Sequence, residues 1–129
     1  MRLARSTVLC SLVAFAAGAG VMWAQQQAAS RREPQFENDQ LKVWKSIVMP
    51  NQPLTFHRHD HGRAIIALTD GTLNMVGKDG KILDSYNLVK GTAIYRGIDP
   101  PGRMHADVNP STKPVEVIVV ELKNDTKHH

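Results

Sequence analysis

The sequence predicts an all-β fold, a single small antiparallel barrel or sandwich, and three observations support this prediction. From about residue 36 onward the chain is a series of short runs rich in Val, Ile, Leu and Thr, each closed by Gly, Pro, Asn or Asp. About eight such runs follow one another at regular spacing. No amphipathic stretch after residue 30 is long enough for a helix of more than two turns. The length of 129 residues fits one domain.

Eight strands are predicted between the residues that break extended structure. Asp70-Gly71 and Asp79-Gly80 are typical of tight hairpin turns, because such turns need the positive φ angles that Gly and Asp tolerate. The other breaks contain Pro, Gly or Asn. The predicted strands cover residues 41–49, 54–59, 63–69, 71–77, 81–87, 92–96, 104–108 and 115–122.

The last predicted strand is apolar on both faces. Its two alternating sets of side chains are Val115, Val117 and Val119 on one face and Ile118, Val120 and Leu122 on the other. A strand with one face in solvent normally has a polar face, so this strand is expected to be covered on both sides. We therefore expect a homodimer in which a second copy covers it. The alternative is that the segment around Phe36 and Trp44 folds back over the strand within one chain.

The first 24 residues are typical of a secretory signal segment. Arg2 and Arg5 precede a mostly apolar stretch from residue 8 to residue 24, which a polar run follows. An uncleaved membrane anchor is the alternative, because 17 such residues are at the lower limit of a bilayer span. Such an anchor would place Arg31 and Arg32 on the outer side of the membrane, an orientation that the positive-inside rule disfavours. We expect a signal peptide at 1–24, a linker at 25–35, the barrel at 36–123, a tail at 124–129, and a periplasmic or secreted protein.

Charge and cysteine content exclude several classes of function. The formal net charge is +4, but residues 36–123 contain 7 Lys and 4 Arg against 10 acidic residues, a net of +1. This small net charge does not predict a basic surface that binds nucleic acid. The protein is expected to contact a membrane only through the signal segment, if that segment is not cleaved. Cys10, the only cysteine, lies in that segment. The barrel therefore has no disulfide, no cysteine metal ligand and no cysteine nucleophile.

Three of the six histidines fall within residues 57–61, and two of them have the spacing of a metal site. A strand places residues i and i+2 on the same face, so His57 and His59 point the same way. Imidazole suits Zn, Cu, Fe or Ni, and a usable site needs a further donor. His105, beyond the turn at 99–102, is the candidate third donor. The other interpretation is that these histidines are solvated in a turn or hydrogen-bonded to a carbonyl.

The residues around these histidines resemble the two sequence motifs of the cupins. The second motif of that family ends P-x-G-x2-H-x3-N, and its four fixed positions match Pro100, Gly102, His105 and Asn109. The first motif runs G-x5-H-x-H-x3,4-E-x6-G, and here it is matched by His57, His59 and Gly71, with Asn51 in place of the opening glycine. The motifs and the strand after them cover roughly residues 41–122.

This resemblance implies a cupin-like jelly-roll barrel in which His57, His59 and His105 are metal ligands. The implied cofactor is a divalent transition metal ion, namely Fe, Mn, Zn, Ni or Cu. The family's glutamate ligand would fall at residue 63 or 64, where this chain has Arg63 and Ala64, so the fourth position would be empty or hold water. Three neutral imidazoles would leave the ion its full 2+ charge, which favours an anionic substrate or a hydroxide. A metal-free barrel is the alternative, because loss of the acid weakens metal affinity.

Five other polar residues near the site have predicted places. His61 is expected at the rim of the site rather than among the ligands. Asp60 and Asp107 are interpreted as out of phase with the neighbouring histidines and therefore as solvated. Tyr95 and Arg96 are expected to line the cavity.

Three functions are compatible with these residues. The first is a metalloenzyme acting on a small molecule, in which the ion is a Lewis acid or binds dioxygen, as in dioxygenase-, lyase- or isomerase-like chemistry. The second is a periplasmic or extracellular module that binds a small ligand or a metal without turnover. The third is a non-catalytic interaction barrel. Cupins host unrelated chemistries and no general base is identifiable in the sequence, so the sequence leaves the enzyme question open.

Overall fold

The computed structural model describes residues 29–126, and within them the chain forms eight strands and no helix. The strands are β1 (Arg31–Glu37), β2 (Leu41–Val48), β3 (Arg63–Ala67), β4 (Gly71–Val76), β5 (Ile82–Leu88), β6 (Ala93–Arg96), β7 (Ala106–Val108) and β8 (Val115–Leu122). The all-β prediction for residues 36–123 is confirmed. The signal segment predicted at 1–24 and residues 127–129 of the predicted tail lie outside the described range. A search of that range finds no helix with the length and hydropathy of a membrane span.

The strands form two antiparallel sheets around one core. The larger sheet has the order β1-β2-β8-β3-β6, and the smaller has the order β5-β4-β7. Side chains alternate between the two faces of a strand, and burial follows this alternation in β3 and in residues 115–119 of β8. The core side chains are Trp44, Val48, Leu54, Ile65, Ala67, Leu73, Met75, Tyr86, Leu88, Val115, Val117 and Val119.

The N-terminal strand starts at Arg31, five residues before the predicted start of the barrel. Its side chains are mostly exposed, so the hydrophobic pattern of the sequence gives no sign of it. Backbone pairing with β2 defines the strand, from Arg31 opposite Ile47 to Glu37 opposite Lys42. Pro34 is tolerated because β1 is an edge strand. The predicted linker at 25–35 is therefore wrong for residues 31–35.

The strand predicted at 54–59 is wrong, because this segment forms no ladder. The backbone of His57 pairs with that of His105 in one isolated bridge, with an N···O distance of 2.9 Å in each direction. Two residues later the partner changes: the His59 N–H donates to the Asp99 carboxylate at 2.8 Å, and the Asp99 N–H donates to the His59 carbonyl at 2.9 Å. A ladder needs one partner strand along its length. The Leu54 N–H also donates to the Asp107 carbonyl at 3.2 Å, so the segment is an extended loop whose backbone is held at three points.

The last strand, β8, lies in the middle of the larger sheet, between β2 and β3. One of its faces is in the core, as predicted, while side chains of the other face are half-buried. The segment that contains Phe36 and Trp44 extends the sheet beside β8: Trp44 faces the core and Phe36 is 54% exposed. The expected alternative, in which this segment folds over the strand, is therefore wrong.

Two residues of the matched motifs have structural roles. Gly71 opens β4 directly against β8, where a Cβ atom would lie 2.7 Å from the Cγ2 atom of Val115. Asn109 is fully buried, and its Nδ2 donates to the carbonyl oxygens of Val48 at 2.9 Å and Lys113 at 2.6 Å. Asn109 thus joins the end of β2 to the turn before β8. The match of Gly71 and Asn109 to the motifs therefore indicates the fold and does not by itself indicate a bound metal ion.

Candidate metal centre

The structure brings together the three histidines that the sequence predicted. His57, His59 and His105 each offer one ring nitrogen, and these nitrogens lie within 4.8 Å of one another. The ring centroids are 4.7 Å apart for His57 and His59, 4.5 Å for His57 and His105, and 5.7 Å for His59 and His105. His105 reaches the pair because its backbone is bridged to that of His57. The predicted convergence is confirmed.

The histidine loop is also held from its opposite side. Arg58 lies between the two histidines in sequence, and its guanidinium donates to the carbonyl oxygen of Pro100 at 2.9 Å and to that of Asp99 at 2.8 Å. Arg58 also pairs with Asp60. His57 and His59 therefore share one side of an extended loop while Arg58 ties the other side to residues 99–100, as i, i+2 alternation predicts.

The Nδ1 atom of each ring faces an acceptor supplied by the protein. The three pairs are His57 with the Thr55 carbonyl at 2.8 Å, His59 with the Glu121 carboxylate at 3.3 Å and His105 with the Asp99 carboxylate at 3.6 Å. In histidine metal sites the ring nitrogen that does not bind the ion donates to a carbonyl or a carboxylate, which fixes the ring orientation. The three rings are thus turned so that their Nε2 sides can face an ion.

Three atoms on that inner side are buried without a hydrogen-bond partner. They are the Nε2 atoms of His57 and His105 and the Oδ1 atom of Asp107. Buried polar atoms are nearly always paired, so three orphans at one place need a physical account. Two imidazole nitrogens and a carboxylate oxygen are a donor set that a divalent transition metal ion accepts. The residues present therefore fit such an ion.

Burial also sets the charge of two of the three rings. It lowers the pKa of His57 from its usual value to about 4, and it lowers the pKa of His105 as well. Both rings are therefore neutral at neutral pH. A neutral imidazole has the lone pair that a metal ion needs, so no proton has to be displaced from these two rings for binding.

The prediction that Asp107 is solvated is wrong. Its side chain is 18% exposed, its Oδ2 lies 3.9 Å from the Nε2 of His57, and its Oδ1 lies 4.0 Å from the Nε2 of His105. Asp107 is two residues after His105, so alternation on β7 places both on the same face; that spacing was the signal in the sequence. The expectation for Asp60 is confirmed, because its side chain is 72% exposed. His61 lies outside the cluster, 2.8 Å from Asp125.

A buried cation occupies one of the two positions, 63 and 64, at which the cupin motif would have its acid. Arg63 is 2% exposed on the core face of β3, while Ala64 faces the other way, opposite Val120. The Nη1 of Arg63 donates to the Gly97 carbonyl at 3.2 Å and lies 3.9 Å from the Asp99 carboxylate. A buried charge persists where it is paired and hydrogen-bonded. The sequence showed the loss of the acid but did not predict an inward-facing arginine.

Two cavities adjoin the histidines. The inner one, of about 30 Å³, is bordered by His57, His59, Arg63 and Asp107 among others, and a space of this size holds a particle no larger than one or two waters. The outer one, of about 380 Å³, is bordered by His105 together with Asp99, Tyr95, Arg96 and Arg103. The predicted cavity positions of Tyr95 and Arg96 are confirmed. Of the three histidines, His105 borders the outer cavity, and its side chain is 1% exposed.

Solved structures with the same architecture were found, whereas no family model and no curated protein matches the chain. A cupin domain from Bordetella pertussis Tohama I aligns with a TM-score of 0.63 and 23% identity, covering 74% of this chain and 94% of that one. An RmlC-like cupin family protein from Methanocaldococcus jannaschii, with a double-stranded β-helix fold, aligns with a TM-score of 0.58 and 13% identity, covering 78% and 85%.

A third neighbour is a conserved protein with a double-stranded β-helix domain from Klebsiella pneumoniae. It has a TM-score of 0.55 and 18% identity, covering 75% of this chain and 79% of that one. At these identities the likeness concerns the fold, and the roles of individual residues depend on the geometry described above. The two-sheet topology and these neighbours agree with the resemblance in the sequence motifs. The chain therefore has the cupin fold, a double-stranded β-helix.

Proposed function

We propose that this chain is an exported barrel that holds one divalent transition metal ion through His57, His59 and His105 and binds a small molecule beside it. The observation that carries the proposal is the burial of the Nε2 atoms of His57 and His105 without a hydrogen-bond partner, while each Nδ1 atom faces a protein acceptor. The outer cavity, which His105 borders, provides the space for the small molecule.

Each residue around the cluster has a part in this proposal. Glu121 and Asp99 orient His59 and His105 through their Nδ1 atoms. Arg103, at the edge of the outer cavity, adds positive charge that favours an anionic group on the bound molecule. A divalent ion held here would supply Lewis acidity or a binding site for dioxygen. Binding without turnover uses the same residues and is the second candidate.

Elemental analysis of the full chain, purified without an affinity tag or a chelating column, tests the metal site. We expect about one transition metal ion per chain in the wild type, and loss of that ion in His57→Ala and in His105→Ala, because each change removes one of three ligands. His61→Ala is the matched control, since its imidazole pairs with Asp125 outside the cluster, and it should keep the ion. Equal metal content in all four proteins would leave only a metal-free ligand-binding or interaction barrel.

Export is tested by the intact mass of the protein recovered from its native envelope. We propose a periplasmic or secreted location, supported by Arg2 and Arg5 ahead of the apolar stretch at 8–24. The intact mass should then correspond to a chain that lacks residues 1 to about 24. A mass that retains them would favour the membrane anchor instead.

We also propose a homodimer through the outer face of the larger sheet. This face carries the half-buried apolar side chains of Ile66, Ile118 and Val120 on adjacent strands β3 and β8, and contiguous apolar surface of this kind favours association. Sedimentation at micromolar concentration should give twice the monomer mass. Val120→Lys should shift it to the monomer, whereas Ile82→Lys, at a 60% exposed position on the smaller sheet, should not. A monomeric wild type would contradict the proposal.

A further inference from the structure

We propose that Asp107 is the fourth protein ligand of this metal ion, in place of the glutamate that the cupin motif has at residue 63 or 64. The inference rests on the three-histidine site proposed above. Asp107 would take the role of metal ligand that the motif glutamate has in cupins, but from a different strand.

The fourth donor cannot come from the place where the motif has it. Of the two candidate positions on β3, Ala64 faces away from the core, opposite Val120, and has no donor atom. Arg63 faces the core, but its guanidinium only donates hydrogen bonds. A carboxylate donor must therefore come from another strand.

Three carboxylates lie close to the histidine rings, and they differ in the side of the ring that they approach. Asp99 and Glu121 face the Nδ1 atoms of His105 and His59, where a carboxylate orients the ring. Asp107 faces the Nε2 atoms of both His57 and His105. Among the described residues near the cluster, Asp107 is thus the carboxylate placed on the side that an ion would occupy.

The distances suit two ligands of one ion better than a hydrogen bond. The oxygens of Asp107 lie 3.9 Å from the Nε2 of His57 and 4.0 Å from the Nε2 of His105, which is too long for a hydrogen bond. Two donors bound tetrahedrally at about 2.1 Å from one ion are roughly 3.4 Å apart. A shift of about half an ångström would bring Asp107 into that range. The burial of its Oδ1 without a partner agrees with this role.

The charges in the inner cavity also favour a carboxylate ligand. Arg63 and Asp107 border the same cavity of about 30 Å³ as His57 and His59. Three neutral imidazoles would leave the full 2+ charge of the ion close to the buried guanidinium, which is repulsive at low dielectric. The negative charge of Asp107 reduces the charge of the centre and offsets this repulsion.

Binding of Co²⁺ to the full chain tests the inference, because the visible d–d bands of Co²⁺ depend on the number and type of its ligands. The affinity is measured by competition with a chelator. For Asp107→Asn, which keeps the shape of the side chain, we expect affinity about 100-fold weaker or more, above the range for residues that only orient a ligand, and a changed spectrum. Asp60→Asn removes the same charge at an exposed position and should match the wild type. Glu121→Gln should bind more weakly but keep the wild-type spectrum.

The outcomes separate the two proposals. If the wild type binds Co²⁺ and Asp107→Asn equals it in affinity and spectrum, Asp107 is not a ligand while the three-histidine site stands. If the wild type does not bind Co²⁺, both proposals fail. Should Asp107→Asn not fold, difference infrared spectra of the wild type with and without Zn²⁺ decide. A shifted carboxylate stretching band that persists in both Glu121→Gln and Asp99→Asn supports the inference, and an unshifted band overturns it.

Discussion

Replacement of Trp44 by alanine is expected to lower the free energy of unfolding by about 3–5 kcal/mol. Trp44 is 8% exposed and belongs to the core between the two sheets. The Trp44 ring lies parallel to that of His59, with the two centroids 6.4 Å apart. The guanidinium of Arg32, on the neighbouring strand, lies 5.9 Å from the centroid of the Trp44 ring. The change removes a large apolar surface and leaves a cavity that the paired strands around it cannot close. Urea denaturation of the metal-free chain measures the loss.

Phe36→Ala is the matched control for this experiment. Phe36 lies on β1, opposite Val43 of the adjacent strand β2, and its side chain is 54% exposed. We expect a loss below about 1 kcal/mol, because surface substitutions rarely cost more. Equal losses in the two variants would contradict the assignment of Trp44 to the core and Phe36 to the surface.

A second large loss is expected for Asn109→Ala. The Asn109 side chain is fully buried, donates to the carbonyls of Val48 and Lys113, and accepts from the Ser111 N–H at 2.9 Å. Alanine leaves the buried Val48 carbonyl without this donor and the half-buried Ser111 N–H without this acceptor, at roughly 1–3 kcal/mol for a buried group. For a domain of this size the midpoint of thermal unfolding should fall by about 10 °C or more.

The control for this change is Asn87→Ala. Asn87 is exposed, and its amide oxygen accepts one hydrogen bond, from the Thr72 hydroxyl at 3.3 Å. Water can replace that bond, so the midpoint should move by no more than about 2–4 °C. An Asn109→Ala protein as stable as the Asn87→Ala protein would show that the buried amide does not hold β2 to the turn before β8.

Local patterns in the sequence predicted most of the strands. The alternation of apolar residues and the turn residues between them placed seven of the eight strands near their observed bounds. This is because apolar side chains of a strand that packs on a core recur at every second residue. The strand that they missed, β1, is mostly exposed and is held by backbone hydrogen bonds with β2. Backbone pairing has no side-chain signature, so no pattern could reveal it.

The metal cluster was predictable for a related reason. His57 and His59 share a side by their spacing, and the match of residues 100–109 to the second cupin motif pointed to His105. The same spacing rule, applied to residues 105 and 107, would have placed Asp107 in the site. The sequence therefore contained the information that places Asp107 on the same face as His105, and the prediction that Asp107 is solvated was wrong in the face assigned to this residue.

The sequence by itself determined the all-β class, most strands and the three histidines, because each depends on spacing within a few residues or on a local motif. Only the tertiary structure decided which groups surround those histidines. Asp99 and Glu121 reach the Nδ1 atoms of His105 and His59, and Glu121 is 62 residues from His59 along the chain. The inward direction of Arg63 likewise depends on the register of β3 against β8. Such contacts are set by the pairing of distant strands, which local periodicity does not encode.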